Sequence, residues 1–311
     1  MSNQKIRVID LFAGIGGFRY GLEKANDNYQ FVWASEWDKY ASQIYTKHFG
    51  GCDTRDIRTV KSSEIPNFDL LVGGFPCQAF SIAGKRKGFD DTRGTLFFEI
   101  ARILRDKRPR YFLLENVKGL LSHDEGKTFS TILGVLTELG YEFEWQVLNS
   151  KNFGVPQNRE RVFIIGNLRG QPRPKVFPVA EVNRLHSSEI TKAVSDAQRI
   201  YNTNGVAKTL KGLGGGLGAK TGLYAIPMKF LQRNQRNYQG EYSFTVDSVN
   251  TGGILKDMRV RRLTPTECER LQGFPDGWTD RISDTQRYKC LGNAVTTNVV
   301  TYIGGKLLIL I

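Results

Sequence analysis

Cysteine is scarce in this chain: four in 311 residues, at Cys52, Cys77, Cys268 and Cys290, with no two close together. That scatter excludes a disulfide framework and gives none of the paired spacing of a zinc site, so free thiols and no metal are expected. Long apolar runs are also missing. None could span a bilayer, and Met1-Ser2-Asn3-Gln4 leads into a strand pattern rather than a signal peptide, so no membrane association and a cytoplasmic location are expected. Acidic residues are thin in one segment: residues 171–262 hold 6 Asp+Glu against 15 Lys+Arg, whereas 1–170 hold 20 against 24 and 263–311 hold 5 against 5. The net charge of +13 is therefore concentrated, and a concentrated basic surface fits a polyanionic partner, because each Lys or Arg meeting a phosphate releases counterions. The other reading of the same charge is a solvated basic surface.

What is present is a series of strand–turn units. Ile6–Leu11 is an apolar run closed by Phe12-Ala13-Gly14-Ile15-Gly16-Gly17, with helical periodicity beyond it. A glycine turn between strand and helix admits a ligand close to the backbone. Its spacing is not the G-x-G-x-x-G of dinucleotide sites, which weakens a dehydrogenase reading. A second strand, Phe31–Ala34, ends at Glu36-Trp37, and an acid about 20 positions beyond such a turn is placed to grip a ribose; alternatively Glu36 serves the positive end of the next helix. Asp53 and Asp56 are expected to flank a short third strand.

The fourth strand, Asp69–Val72, is stopped by Gly73-Gly74-Phe75-Pro76 and puts Cys77 at a strand's carboxyl end. A loop follows over 81–94, with Lys85-Arg86-Lys87 read as phosphate contacts and Gly84, Gly88 and Gly94 as pivots. The strand Tyr111–Leu114 ends in Glu115-Asn116-Val117. Between strands predicted at 143–148 and 162–165, Arg159 and Arg161 stand two apart on an extended segment, so they are expected to point the same way. After the proline-rich stretch 171–178 the chain becomes glycine-rich and loses its helix–strand alternation until about 262. The apolar spacing of Val295, Val299, Ile303 and Leu307 predicts a final helix that returns to the first domain.

Together these residues resemble the DNA cytosine-5 methyltransferases of bacterial restriction–modification type. The resemblance rests on Asp10–Phe18, Gly74-Phe75-Pro76-Cys77-Gln78, Glu115-Asn116-Val117, Gln157–Arg161, Arg262–Cys268 with Gln272–Pro275, and Gly292–Val295, in the family's order and across nearly the whole chain outside about 171–258. It implies an α/β fold: a Rossmann-like S-adenosylmethionine-dependent domain with a mixed, mostly parallel sheet over 1–170, completed by 284–311. A smaller, irregular, mainly β target-recognition domain is expected over 171–283.

The chemistry asks for the same residue types. Cytosine C5 is a poor nucleophile until a thiolate adds to C6, which is the role implied for Cys77 beside Pro76. Arg159 or Arg161 would favour the thiolate, Glu115 would bond ring N3, and Asn116 would hold a water near C5. The resemblance carries S-adenosylmethionine to Phe12, Gly14, Ile15, Gly16, Gly17, Glu36, Trp37, Asp56, Ile57, Asn293 and Val295. Double-stranded DNA, with its cytosine flipped out, would meet Gln78, Ser81, Lys85, Arg86, Lys87 and Arg93. Base reading is expected from Arg199 and from Gly215, Gly216 and Lys220, the last three in a run, 214–222, similar to that of enzymes recognising GCGC, although residues 225–258 add material such enzymes need not have. A monomer in the bacterial cytoplasm or nucleoid, paired with a cognate restriction endonuclease, completes the expectation. An RNA cytosine-5 methyltransferase, a DNA-binding regulator with a degenerate core and a nucleotide-binding oxidoreductase are the competing readings. The large basic segment, the intact Cys77, Glu115 and Arg161, and the glycine spacing respectively oppose them.

Overall fold

The computed structural model describes residues 5–76, 96–173, 175–179 and 263–307 in full, and 200–202, 207–208, 223–227, 254–255 and 258–261 by their backbone. Cys77, Gln78, Ser81, Lys85, Arg86, Lys87, Arg93, Arg199, Gly215, Gly216 and Lys220 lie outside the described residues. The chain divides into two compact units, one of Met1–Asn149, Glu160–Ala180 and Val295–Ile311, the other of Ser150–Arg159 and Glu181–Ala294.

The first unit is built on β1 (Ile6–Leu11), α1 (Gly17–Ala25), β2 (Tyr29–Ser35), α2 (Lys39–Phe49), β3 (Leu70–Gly74), α3 (Leu96–Lys107), β4 (Tyr111–Val117), α4 (Lys127–Glu138) and β5 (Tyr141–Asn149). After the two-residue β6 (Gln157–Asn158) of the other unit, β7 (Glu160–Leu168) completes its sheet. The sheet order is β2-β1-β3-β4-β7-β5, in which β7 alone runs against the other five strands. Continuous apolar runs such as Ile6–Leu11 and Tyr111–Leu114 are what strands covered on both faces require. Ile9, Leu11, Leu71, Phe112, Leu114 and Ile164 form one core with α3 and α4. The expected short strand around Asp53 and Asp56 is only a bridge, Ser35 to Asp53. Two backbone bonds tie Asp53 to Ala34 and Glu36, and then Asp56 caps a single 3-10 turn over Ile57–Thr59 that turns the chain away.

Helix ends follow their local chemistry. Asp38 accepts from the amides of Tyr40 and Ala41 at the start of α2, and Gly50 ends that helix at φ 86°. The final helix, α7 (Thr297–Leu307), packs on α1 through glycines: a Cβ at Gly21 would come within 2.7 Å of Val300, and one at Gly304 within 2.7 Å of Leu22. Tyr29 Oη also donates to the Gly304 carbonyl at 2.7 Å.

The second unit contains β8 (Ile200–Asn202), β9 (Ala207–Lys208), β10 (Leu223–Pro227), β11 (Ile254–Leu255) and β12 (Met258–Arg261), followed by α5 (Pro265–Gln272) and α6 (Asp284–Asn293). Its four-stranded sheet runs β11-β12-β10-β8, and β6 pairs with β9. The partition does not follow 1–170 and 171–283 residue for residue. Segment 150–159 groups with the second unit because Arg159 Nη2 donates to the Gly292 and Ala294 carbonyls (3.0 and 2.7 Å) and Gln157 Nε2 to that of Leu271 (2.8 Å). Residues 175–179 stay with the first unit, pinned when the Val176 and Phe177 amides donate to Glu144 and the Val179 amide to Gln146 on β5.

Candidate active site

In an open α/β sheet, ligands bind at the carboxyl ends of the strands where the strand order reverses. Here the chain lays β2 on one side of β1 and β3 on the other, so the crevice lies beyond the ends of β1 and β3. At the end of β1, Phe12, Gly14 and Gly16 take positive φ (57, 56 and 86°), and a Cβ on Gly16 would fall 2.2 Å from the Phe49 ring. Glycine is therefore required at position 16. Glu36, nearly buried at the end of β2, accepts from the Gly14 amide on one carboxylate oxygen and from the Asp38 amide on the other, both at 2.7 Å. Asp38, not Glu36, is the helix cap, so Glu36 ties the glycine turn to the start of α2.

A cleft with about 540 Å³ of atom-free space opens beside this turn, lined by Phe12, Ser35, Glu36, Trp37, Arg55, Asp56, Ile57, Arg58 and Leu96. Phe12, Ile57 and Leu96 are its apolar walls, and Trp37, 68% exposed, is its rim. An aromatic and aliphatic slot with a carboxylate at its end suits a nucleoside: the walls take a planar base and Glu36 offers acceptors to a diol. Five of the expected cofactor residues meet in this cleft: Phe12, Glu36, Trp37, Asp56 and Ile57. Gly14 touches it through Glu36. Ile15 and Gly17 are buried behind the turn, and Val295 is buried where the last segment of the first unit begins. Asn293 is the exposed last residue of α6, in the second unit. The arginines at 55 and 58 went unread in the sequence, because an acid–x–arginine pair on a surface turn has no periodic signature.

A second group converges at the ends of β3 and β4, where Gly74 pairs in register with Glu115. A Cβ at Gly74 would stand 3.1 Å from Glu115 Oε2, so this glycine makes room for the carboxylate. Across the β4–β7 ladder Arg161 Nε meets Glu115 Oε1 at 3.0 Å, with both side chains under 15% exposed. Burial pulls the Arg161 guanidinium down from its usual value and the Glu115 carboxylate opposes that shift. Asn116, 2% exposed, donates from Nδ2 to the Phe75 carbonyl at 2.8 Å, while its Oδ1 accepts from the Val117 amide. Asn116 thus holds the backbone just ahead of Pro76, which is exposed.

Arg159 and Arg161 do not share surroundings. The first is 1% exposed and bound to backbone carbonyls of its own unit; the second faces Glu115. Their expected common direction assumed one continuous strand, but β6 ends at Asn158 and β7 begins at Glu160, and side-chain alternation does not carry across the break. Of the described cysteines, burial pushes the Cys52 thiol up to about 11 and the Cys268 thiol up to about 12, away from the reactive thiolate, and Cys290 is buried. Among the described residues there is no group of three metal-ligating side chains, and no helix is long and apolar enough to cross a membrane.

Residues 6–308 match the family model for C-5 cytosine-specific DNA methylases. The chain is 38% identical to the type II methyltransferase M.HhaI of Haemophilus parahaemolyticus over 96% of its length and 93% of that protein. It is 40% identical to the type II methyltransferase M.HpaII of Haemophilus parainfluenzae, covering 98% and 90%. In fold it is similar to the S. pombe Dnmt2 methyltransferase, with a TM-score of 0.72 over 98% of this chain and 99% of that one at 23% identity.

Proposed function

We propose that this chain, which belongs to the C-5 cytosine-specific DNA methylase family and is a DNA cytosine-5 methyltransferase of type II restriction–modification type, works through a covalent bond between Cys77 and C6 of a flipped-out cytosine. The observation that carries this reading is the Glu115–Arg161 pair at the end of β4, next to the strand that leads into Cys77. Family and fold imply S-adenosylmethionine as the methyl donor. It supplies, when bound, a methyl group activated by its sulfonium sulfur.

The residues of the first cleft suit it. Phe12, Trp37 and Ile57 would hold the adenine, Glu36 the ribose hydroxyls and the turn around Gly14 and Gly16 the methionine part. Glu115 would bond ring N3 of the target base in a site that excludes water, with Arg161 fixing its orientation. The Cys77 thiolate then adds to C6, which makes C5 nucleophilic. After methylation the C5 proton leaves and the C6–S bond breaks, returning the thiolate. Asn116 acts by position, setting the backbone ahead of Cys77. Arg159 acts by clamping carbonyls of its own unit.

The basic segment over 171–283 is proposed to read a short duplex sequence, with Arg199, Gly215, Gly216 and Lys220 at base edges and Gln78, Ser81, Lys85, Arg86, Lys87 and Arg93 gripping the strand. Protection from a cognate restriction endonuclease is the purpose that fits this chemistry, and a monomer is sufficient for it. The test is transfer of tritiated methyl from S-adenosylmethionine to duplex DNA by wild type and Cys77→Ser. The wild type should label DNA and the variant should not; label transferred by Cys77→Ser would remove the nucleophile from the scheme. Bisulfite sequencing of DNA from expressing cells would then read the site.

A further inference from the structure

The cleft holds two carboxylates. Glu36 accepts the backbone amides of Gly14 and Asp38. A carboxylate has about four lone-pair directions, and those of Asp56 are taken. Its Oδ1 accepts from the backbone amide of Arg58 at 3.0 Å and from Arg58 Nε at 3.0 Å, while its Oδ2 accepts from Nε at 2.9 Å and from Nη2. One residue saturates the acid through its main chain and its guanidinium together. Arg55 does not compete, because its own guanidinium is held by Asp53 and Glu64, both at 2.7 Å.

The Arg58 side chain is 56% exposed and that of Asp56 is 25% exposed. An ion pair so open to water is weak and can be exchanged. We infer that Arg58 is a positioning residue for the cofactor's purine: it occupies the acceptors of Asp56, so an exocyclic amino group gains Asp56 only by displacing a guanidinium contact. Arg58 thereby sets how sharply the cleft distinguishes a 6-amino from a 6-oxo purine. The displaced guanidinium also offers N–H donors that a 6-oxo group would accept, which blunts the distinction further. This inference rests on the reading of the cleft as the adenosine site.

Isothermal titration of the full chain with S-adenosylhomocysteine and with its inosine analogue tests it. Arg58→Ala should tighten S-adenosylhomocysteine about three- to tenfold, the gain from one hydrogen bond of ordinary net strength to an acceptor no longer contested. It should not tighten the inosine analogue, so the ratio of the two affinities rises. Arg58→Lys, a point charge without the planar fork, should fall between. In turnover Arg58→Ala should lower the cofactor KM by more than it changes kcat, the mark of binding shared by ground and transition states. A merely structural staple would weaken both ligands alike and leave their ratio fixed. Asp56→Ala should collapse the ratio. If it does and Arg58→Ala leaves the ratio unchanged, the role of Arg58 is overturned while the adenosine site stands. If Asp56→Ala itself leaves the ratio unchanged, the adenine reading falls and takes this inference with it.

Discussion

Asn116 Nδ2 donates to the carbonyl oxygen of Phe75 at 2.8 Å, so the end of β4 carries the backbone that leads into Cys77. Phe75 is 5% exposed, and without the amide its carbonyl would be left without that bond in an apolar setting. Losing one partner of a buried hydrogen bond costs about 1–3 kcal/mol. Asn116→Ala should therefore lower kcat for methyl transfer about 10- to 100-fold at saturating DNA and cofactor. Asn116→Asp should be no better, since a carboxylate cannot donate to a carbonyl. Undiminished kcat in both variants would show that the tether is not used.

Glu115 and Arg161 should separate stability from chemistry. Arg161→Ala leaves Glu115 without its cation in a nearly buried site, and breaking such a pair costs about 3–5 kcal/mol. Urea unfolding should show that loss together with loss of activity. Glu115→Gln keeps the shape but not the acid, so its unfolding midpoint should move less while methyl transfer drops about 10²- to 10⁴-fold, the usual range for a general acid. Equal activity of Glu115→Gln and wild type would remove Glu115 from proton chemistry.

The parallel sheet was legible because Ile6–Leu11, Leu70–Val72 and Tyr111–Leu114 are apolar without interruption, as strands covered on both faces must be. The carboxyl-end position of Glu115 follows from the last of those runs, and that of Glu36 from the shorter run Phe31–Ala34. The insertion of β7 between β4 and β5 was not legible, since alternation tells which side chains are buried and not which strand is the neighbour. Nor was the bond from Asn116 to Phe75, which depends on how two strand ends meet. Gly74 was read as a strand stop, and only its register with Glu115 reveals it as space left for a carboxylate. The Asp56–Arg58 staple belongs to a turn, where hydrophobic periodicity carries no information.

DNA contact by Lys85, Arg86 and Lys87 has a readout independent of catalysis. Each phosphate neutralised contributes about 0.9 to the slope of log affinity against log salt on duplex DNA. Replacing all three by alanine should flatten that slope by up to about 2.7, three such contacts at 0.9 each, when binding is followed by fluorescence anisotropy from low to moderate salt. A slope equal to wild type would place these cations away from the phosphates.

Asp10 gives the protein a pH dependence of known sign. It is fully buried on β1, and neither carboxyl oxygen has a hydrogen-bond partner among the described residues. Burial raises its pKa well above the usual aspartate range; the charge of Arg19 works against that shift and the charge of Glu36 adds to it. Below about pH 3.9, the ordinary value, folded and unfolded chains both hold the proton, and the residue's contribution to stability is fully present. As pH rises above that, the unfolded chain releases the proton while the folded chain keeps it. Stability then falls by up to about 1.4 kcal/mol per pH unit until the folded-state value is passed. Asp10→Asn has no proton to lose there. Its stability relative to wild type, from urea unfolding at a series of pH values between about 4 and 8, should therefore improve as pH rises through that window. Parallel curves would mean that the Asp10 carboxyl does not keep its proton in the folded protein.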